Sequence, residues 1–348
     1  MLRCMYAGIS GMKVNQTKLD VIGNNIANVG TTSFKASSAR FKDMLYQNAG
    51  EATSPTSTKG GTNAKQVGLG AQLASINKVM GQGNALSTGR SLDVCIDGDG
   101  YLITGSGVVD YSSNGGTTVD TTTNALGTGD MDILYTRDGN LTLDHEGNLL
   151  TSDGRRIMGY VMTDGTTNSI DPSGKILFVD ADKVDPTSKK SVVSAVAGKL
   201  QPLKVPDTVY DSTGANGKTV KTFEIGKDGV ITVILGDGSR SAIGQMALAN
   251  FKNPEGLTSV GGNLLQKSAN SGTELIKTGK LDANSTSTTT TDNSNGFGDF
   301  IQGALEGSNV DLTEQFTDMI TATRSFQAAS KMVTTGDEIL QTITGLMR

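Results

Sequence analysis

The sequence predicts an α+β protein, with terminal helices that pair as a coiled coil around an all-β body of short antiparallel strands and hairpins. Three observations predict it. A heptad of apolar residues runs Met5, Met12, Leu19, Ile26, strengthened by Ile22 and Val29. A second runs Leu312, Met319, Phe326, Val333, Leu340, Met347. Between them lie short apolar runs separated by Asp-Gly turns. A seven-residue apolar repeat marks a helix that buries a narrow stripe against other helices. Two such helices, separated by a long β region, read as arms that pack on each other and on neighbouring copies.

The first helix is expected over about residues 3–29, ending at VGTTSFK, where Gly30 and Thr31–Thr32 interrupt the pattern. EATSPTSTKGGTNAK (51–65) is polar and aperiodic, and reads as a linker or extended arm. From Val67 to Met162 the signals are β. Leu92, Val94 and Ile96 alternate before the turn Asp97-Gly98-Asp99-Gly100, and RDGN (137–140), HEGN (145–148) and SDGR (152–155) separate the later apolar runs. Residues 112–130 form a low-complexity insertion, and a second β block over 175–280 has its clearest strand at Val230–Leu235. ANSTSTTTTDNSN (283–295) is again linker-like. The last helix is expected to start near Asp311, capped by Asn309 or Ser308. Beside its apolar heptad, Phe316, Thr323, Ser330, Asp337 and Thr344 predict a second seam that is mostly polar. Gly336 inside that helix costs about 1 kcal/mol relative to Ala.

The expected domains are therefore 1–48 with 297–348 (helical assembly domain), linkers at 49–66 and 281–296, a β-domain of 67–164 with 223–280, and a small elaboration at 165–222. The candidate assembly residues are Met5, Met12, Leu19, Ile22, Asn24, Asn25, Ile26 and Asn28 on the first arm. On the last arm they are Leu312, Phe316, Met319, Ile320, Phe326, Val333, Leu340, Ile343 and Met347. Asn24, Asn25 and Asn28 are either plain helix-surface polarity or hydrogen-bonding groups that set helix register, as a buried Asn does in coiled coils.

Composition narrows the function. With 36% hydrophobic and 5% aromatic residues, no Trp and 45 Gly in 348 residues, the chain can build thin, turn-rich β cores. A net charge of −5 gives no general basis for binding nucleic acid or anionic membrane. The charge is uneven: residues 1–45 sum to +4 and residues 309–348 to −2, which favours the arms meeting antiparallel or side by side. Cys4 and Cys95 are too few for a disulfide framework. The opening MLRCMYAGISGMK lacks the apolar core of a cleaved signal, and composition by itself points to the cytosol. No stretch approaches the ~18 apolar residues of a membrane span.

No constellation suggests catalysis, a metal or a cofactor. Asp97, Asp99, Asp144, Asp164 and Asp228 lie in or beside turns, and DGDGYL lacks the spacing and terminal Glu of a calcium loop. His145 is the sole histidine and sits in a turn, a poor place for a triad base or metal ligand. GDGYLITGSG lacks the GK[ST] of a phosphate loop.

Five segments carry a resemblance: IGNNIANVGTTSFK (22–35), GLGAQLASINKVMGQGNALSTGRSLDVCIDGDGYLIT (68–104), YTRDGNLTLDHEGNLLTSDGRRIMGY (135–160), GQMALANFKNPEGLTSVGGNLLQKSANSG (244–272) and SNVDLTEQFTDMITATRSFQAASKMVTTGDEILQTITGLMR (308–348). In this order they resemble the flagellar rod and hook protein family. Gly30 stands where that family usually has Asn, and Ser33 where it usually has Gly. The resemblance implies a structural subunit of a helical tube outside the cell, without enzyme activity. The chain's length points to the hook, a bent universal joint between rod and filament, with the distal rod as the alternative. It also implies partners: copies of the chain, the distal rod, hook-cap and hook–filament junction proteins, and the flagellar type III export apparatus, which needs no cleaved signal. A secreted β-rich adhesin whose helices merely dimerise is the reading from another class.

Overall fold

The computed structural model describes the whole chain except residues 1, 112–115, 121–122, 124, 128, 130, 166, 184–192, 197, 212–215, 278–297 and 347–348. The linker expected at 281–296 and Met347 lie outside the described residues. The chain divides into two compact units, Met1–Gly81 with Ser308–Arg348 and Gln82–Gly307.

The first unit contains helix α1 (Leu2–Ala27), strands β1 (Ser37–Asp43), β2 (Tyr46–Gly50), β3 (Lys65–Gly68) and β4 (Ala71–Lys78), and helix α2 (Leu312–Leu346). β1 pairs antiparallel with β4, from Ser37↔Lys78 to Asp43↔Ala71, and β2 pairs with β3 from Tyr46↔Gly68 to Gly50↔Lys65. The stretch expected as linker at 49–66 is thus largely the arm of a hairpin, carried outward by a Thr53↔Thr62 bridge. Its polar composition hid the pairing. The hydrogen bonds are backbone ones, helped by Gln66 Nε2 donating to Asn48 Oδ1 at 2.7 Å and by the Thr53 and Thr62 hydroxyls at 2.7 Å. For the same reason the helical unit extends to Gly81 rather than ending at residue 48: β4 belongs to β1, and the loop before β4 lies on α1. A Cβ at Gly70, whose φ is +120°, would collide with Ser10 Oγ of that helix.

The second unit is built on one large antiparallel network of strands, beside which 94–97 pairs with 299–302 and 85–87 with 304–306 as separate two-stranded sheets. Its main path runs 208–210, 217–225, 230–235, 240–246, 156–163, 101–107, 131–136, 264–266, 258–261. Residues 194–225 join this network through the pairings of 194–195, 199–202 and 217–225, so the elaboration expected over 165–222 shares the β-domain's sheet. Successive side chains of a strand point to opposite faces, and here both faces are covered. Leu102, Ile157 and Val161 enter one apolar cluster, while Tyr101, Ile103, Met158, Tyr160 and Met162 enter another. In the second, Phe251 packs edge-on against Tyr101 and Tyr135, with ring centroids 5.9 and 4.8 Å apart.

The turns read from sequence hold with one difference. Gly147, Gly154, Gly229 and Gly238 adopt positive φ as hairpin turns require. Gly139 of RDGN does not; it is needed because a Cβ there would overlap the Val94 carbonyl. The Arg of the same motif is also no surface turn residue. Arg137 is 5% exposed, and its Nε donates to Oε2 of the fully buried Glu306 at 2.8 Å. Its Nη2 donates to the carbonyls of Gly98 (2.7 Å) and Ile96 (3.3 Å), while Gly83 N donates to Glu306 Oε1 at 2.9 Å. This pair ties together the place where the chain enters the unit (β pairing 85–87 with 304–306) and the place where it leaves.

Removing one partner of a buried ion pair strands the other charge, at a cost of about 3–5 kcal/mol. Glu306→Ala should therefore lower the urea midpoint of the tyrosine near-UV circular dichroism by that equivalent, while Arg137→Met with Glu306→Leu recovers most of it. Burial also pushes the Tyr101 hydroxyl up to about 12, against the opposing pull of Arg137, and raises Tyr135 and Tyr160 further. Unfolded tyrosine ionises near ~10, so the unfolded chain releases these protons first. Stability from the three residues is complete below that pH and is lost as pH rises through the folded values. The phenolate absorbance of these three should accordingly appear together with loss of the near-UV tyrosine dichroism, not before it.

Candidate assembly interface

α1 and α2 pair antiparallel, as five contacts show: Met5 with Gly336, Gly8 with Val333, Gly11 with Ala329, Lys18 with Asp318 and Asn25 with Gln315. The residue numbers rise on one helix as they fall on the other. The seam of α2 combines the expected heptad (Met319, Phe326, Val333, Leu340, all half-buried) with Gln315, Ala322, Ala329 and Gly336. The second seam is therefore not the polar series at 316, 323, 330, 337 and 344 read from sequence. It lies one residue earlier and is made mainly of small side chains. The reason is closeness: a Cβ on Gly336 would sit 3.0 Å from Met5 Cγ, and one on Gly8 would sit 3.1 Å from Val333 Cγ2. Gly336 gives up helix propensity so that the backbones can approach. On α1, Ile22 is buried in the seam, and Met12, Leu19 and Ile26 are half-buried.

The three candidate asparagines separate. Asn25 is buried and fully engaged: Nδ2 donates to the Ser37 carbonyl (2.8 Å) and Gln315 Oε1 (3.0 Å), while Oδ1 accepts from Ser37 N (2.9 Å). It fastens α1, α2 and β1 at one point. Asn24 and Asn28 instead bond each other at 2.9 Å on the outside of the last turn of α1. Asn309, read only as a possible cap, acts like Asn25. Its Oδ1 accepts from Ala36 N at 2.7 Å, and its Nδ2 donates to the carbonyls of Val79 and Gly81. The cap of α2 is Asp311, whose Oδ1 accepts from Thr313 N and Glu314 N. A notch of about 240 Å³ remains here, lined by Lys18, Val21, Ala36, Val79, Glu314 and Asp318 among others.

Among the described residues, much of α2's apolar surface has no partner. Leu312, Phe316 and Ile320 are exposed, as are Met332, Ile339, Ile343 and Leu346, and on α1 Tyr6 and Ile9. At ~100° per residue, Phe316 and Ile320 fall on one flank of the seam, and Met332, Ile339 and Leu346 on the other. The pairing register also leaves α2 overhanging the start of α1 by about two turns, which is where Ile343 and Leu346 lie. The threonines of α2 do not oppose burial. Thr317, Thr323, Thr335, Thr342 and Thr344 each donate to the carbonyl four residues earlier, at 2.8–3.0 Å.

Of the other sequence candidates, Cys4 is exposed on α1, Cys95 is buried in strand 94–97, and His145 is exposed in its turn. Among the described residues no helix is long and apolar enough to cross a membrane.

Three family models match parts of the chain. That for the flagella basal body rod protein matches residues 5–35, and that for the C-terminal part of the flagellar basal body rod FlgEFG protein matches 301–346. The model for the flagellar hook protein FlgE/F/G D1 domain matches 124–233. The flagellar basal-body rod protein FlgG of Bacillus subtilis is 36% identical over 348 residues, covering 100% of both chains. The chain belongs to the flagellar rod and hook protein family. Members of this family are structural subunits of the flagellar axis, so the chain belongs to the flagellum. The flagellar hook protein FlgE of Borreliella burgdorferi is 28% identical over 477 aligned positions, covering 99% of this chain and 100% of that one. That of Treponema pallidum is 28% identical over 501, covering 100% of each. These alignments are longer than this chain, so both hook relatives carry residues it lacks, whereas the Bacillus relative is no longer than it. A crystal structure of Helicobacter pylori flagellar hook protein FlgE2 covers 64% of this chain and 100% of that one at 11% identity and a TM-score of 0.35, too slight a likeness to argue from.

Asn25→Ala should lower the melting free energy of the helical unit by about 1–3 kcal/mol, since it orphans the Ser37 amide and carbonyl. Asn24→Ala, on the exposed side, should cost well under half of that. Thermal melts followed by helical circular dichroism at 222 nm compare the two.

Proposed function

We infer that the chain is the structural subunit of the bacterial flagellar hook, whose copies stack into a bent helical tube serving as universal joint between rod and filament. One observation carries the assembly part of this reading: α2 keeps apolar residues on opposite flanks of its intramolecular seam. A discrete symmetric dimer covers one self-complementary patch on each copy. Patches on both flanks need two different neighbours, and contacts of that heterologous kind that do not close a ring build helical tubes. In this reading Leu312, Phe316, Ile320 and Ile343 face other copies. Met5, Met12, Leu19, Ile22, Ile26, Met319, Phe326, Val333 and Leu340 form the pair that presents them, with Asn25 holding its register. The adhesin reading gains nothing from such a surface.

The hook is favoured over a straight rod because the chain passes between its two units only at Gly81–Gln82 and Gly307–Ser308, with glycine at both crossings. Such crossings suit a subunit that must deform once per revolution. The distal rod is the second reading, because the 36% identical Bacillus relative bears the name of a rod protein and is no longer than this chain. The partners in this reading are other copies, the distal rod protein, the hook cap, the hook–filament junction proteins and the type III export apparatus. In this reading the chain is exported by that apparatus and works outside the cell.

Deleting residues 330–348 should leave the tyrosine dichroism of the β unit intact and abolish tube formation; tubes from that truncation would refute the assembly reading. Gold-labelled antibody on isolated hook–basal bodies should mark the curved segment. Label confined to the straight rod would transfer the assignment to the second reading.

A further inference from the structure

The two small strand pairs at the ends of the β unit differ in what holds them. The inner pair, 94–97 with 299–302, is sealed by Val94, Ile96 and Phe300, all members of one apolar cluster. The outer pair, 85–87 with 304–306, contributes no residue to either cluster, and Leu86 is 56% exposed. Its fastenings are therefore polar. Thr88 N and Gly89 N donate to the Gly303 carbonyl at 2.8 and 3.1 Å, and Gly307 N donates to that of Asn84 at 2.8 Å. Arg137 of the body holds one Glu306 carboxylate oxygen at 2.8 Å, and Gly83 N donates to the other at 2.9 Å. At the base of the pair, Gly303 N donates to the Asp93 carbonyl at 2.8 Å and Arg90 Nη2 to that of Leu141 at 3.0 Å.

The register sets Glu306 opposite Ala85, on the rung nearest the two chain crossings, and Ala304 opposite Ser87 farther in. The chain enters and leaves at the same end of this ladder. Tension between the crossings thus peels it rung by rung instead of shearing all rungs together, and Glu306 stands on the first rung to be loaded. A buried ion pair suits that place. Losing one partner strands a charge, but parting the two in water restores the hydration each lost on burial. Opening also exposes little new apolar surface, since Leu86 is already half in solvent.

We propose that residues 83–89 with 303–307 form a latch that opens as one unit while the rest of the β unit stays folded, with Arg137–Glu306 as its fastening. Opening frees roughly 40 Å of chain, at ~3.4 Å per residue, and so lengthens the crossings. In a tube, a use that rests on the assembly reading, this slack lets a subunit follow bending without losing its core. The latch itself is a property of the single chain, so its test needs no tubes.

The test is native-state hydrogen exchange of the unassembled full-length chain across a series of low urea concentrations, read amide by amide. The amides of Gly83, Thr88, Gly89, Gly303 and Gly307 should share one opening, at least ~100-fold more frequent than that of 102–104 and 157–160. Its rate should barely respond to urea, because little surface is exposed. Amides within 94–97 and 299–302 should follow the core. Ile157→Val should speed the core amides several-fold and leave the latch amides unchanged, since it destabilises the closed and latch-open forms alike. Glu306→Gln should speed the latch amides by roughly tenfold or more. Latch amides that share the core's rate and urea slope overturn the proposal. So does opening of all four strands together, or an equal response of latch and core to Ile157→Val. Unchanged latch exchange in Glu306→Gln also overturns it, because the ion pair is then not the fastening. If a variant fails to fold, the wild-type urea series decides alone. None of these outcomes bears on whether copies of the chain form tubes.

Discussion

The close antiparallel approach of the two terminal helices is the constraint on which the helical unit depends. Small residues make it: Gly8 and Gly11 face Val333 and Ala329, and Gly336 faces Met5. Because this seam is narrow, it occupies only one stripe of each helix. Most of a helix's stability in a protein comes from packing of its apolar face, so pairing steadies α1 and α2, yet it leaves their flanks apolar and open. A wider seam with large side chains would have produced a more stable monomer with nothing left to recruit a neighbour.

Polar groups are handled with the same restraint. α2 is rich in threonine, which ordinarily lowers helix propensity. Its hydroxyls return to the helix's own carbonyls, so their donors are already satisfied before any neighbour arrives. Burying these flanks in a second copy then removes few hydrogen bonds to water, and the penalty for unsatisfied buried donors is avoided. Asn25 and Asn309 show the complementary use of polarity: each directs its donors and acceptors to the backbone of β1 or the end of β4. The strands are thereby fixed to the helices by directional bonds rather than by apolar area.

The β unit is organised on different terms. Its strands bury side chains on both faces, and its enclosed charge pair, Arg137 with Glu306, stands beside the points where the chain enters and leaves. Segments 85–87 and 304–306 are distant in sequence, so loop closure opposes bringing them together. The ion pair, with its carbonyl and amide partners, offsets that cost where it is felt. The two ends of the unit are thus held together by one cluster.

Much of this was legible in the chain itself. The heptads at Met5–Ile26 and Leu312–Leu340 named the helices, and the Asp-Gly turns placed the hairpins, because periodicity and turn chemistry are local properties. Family membership was legible from motifs in order. The hairpin over 46–68 was not, since its residues are polar and only backbone pairing makes it a strand. Nor was the role of Arg137, which sits in a turn motif that reads as solvent-exposed until Glu306 arrives from 169 residues away. The small-residue seam through Ala322, Ala329 and Gly336 was misread as a polar one at 316 and 323, because a heptad shows which stripe is apolar but not how close a partner comes. Local pattern thus sufficed for which segments are helix and strand. Which faces stay open was settled only by three-dimensional packing, because exposure depends on what the rest of the chain places against each side chain.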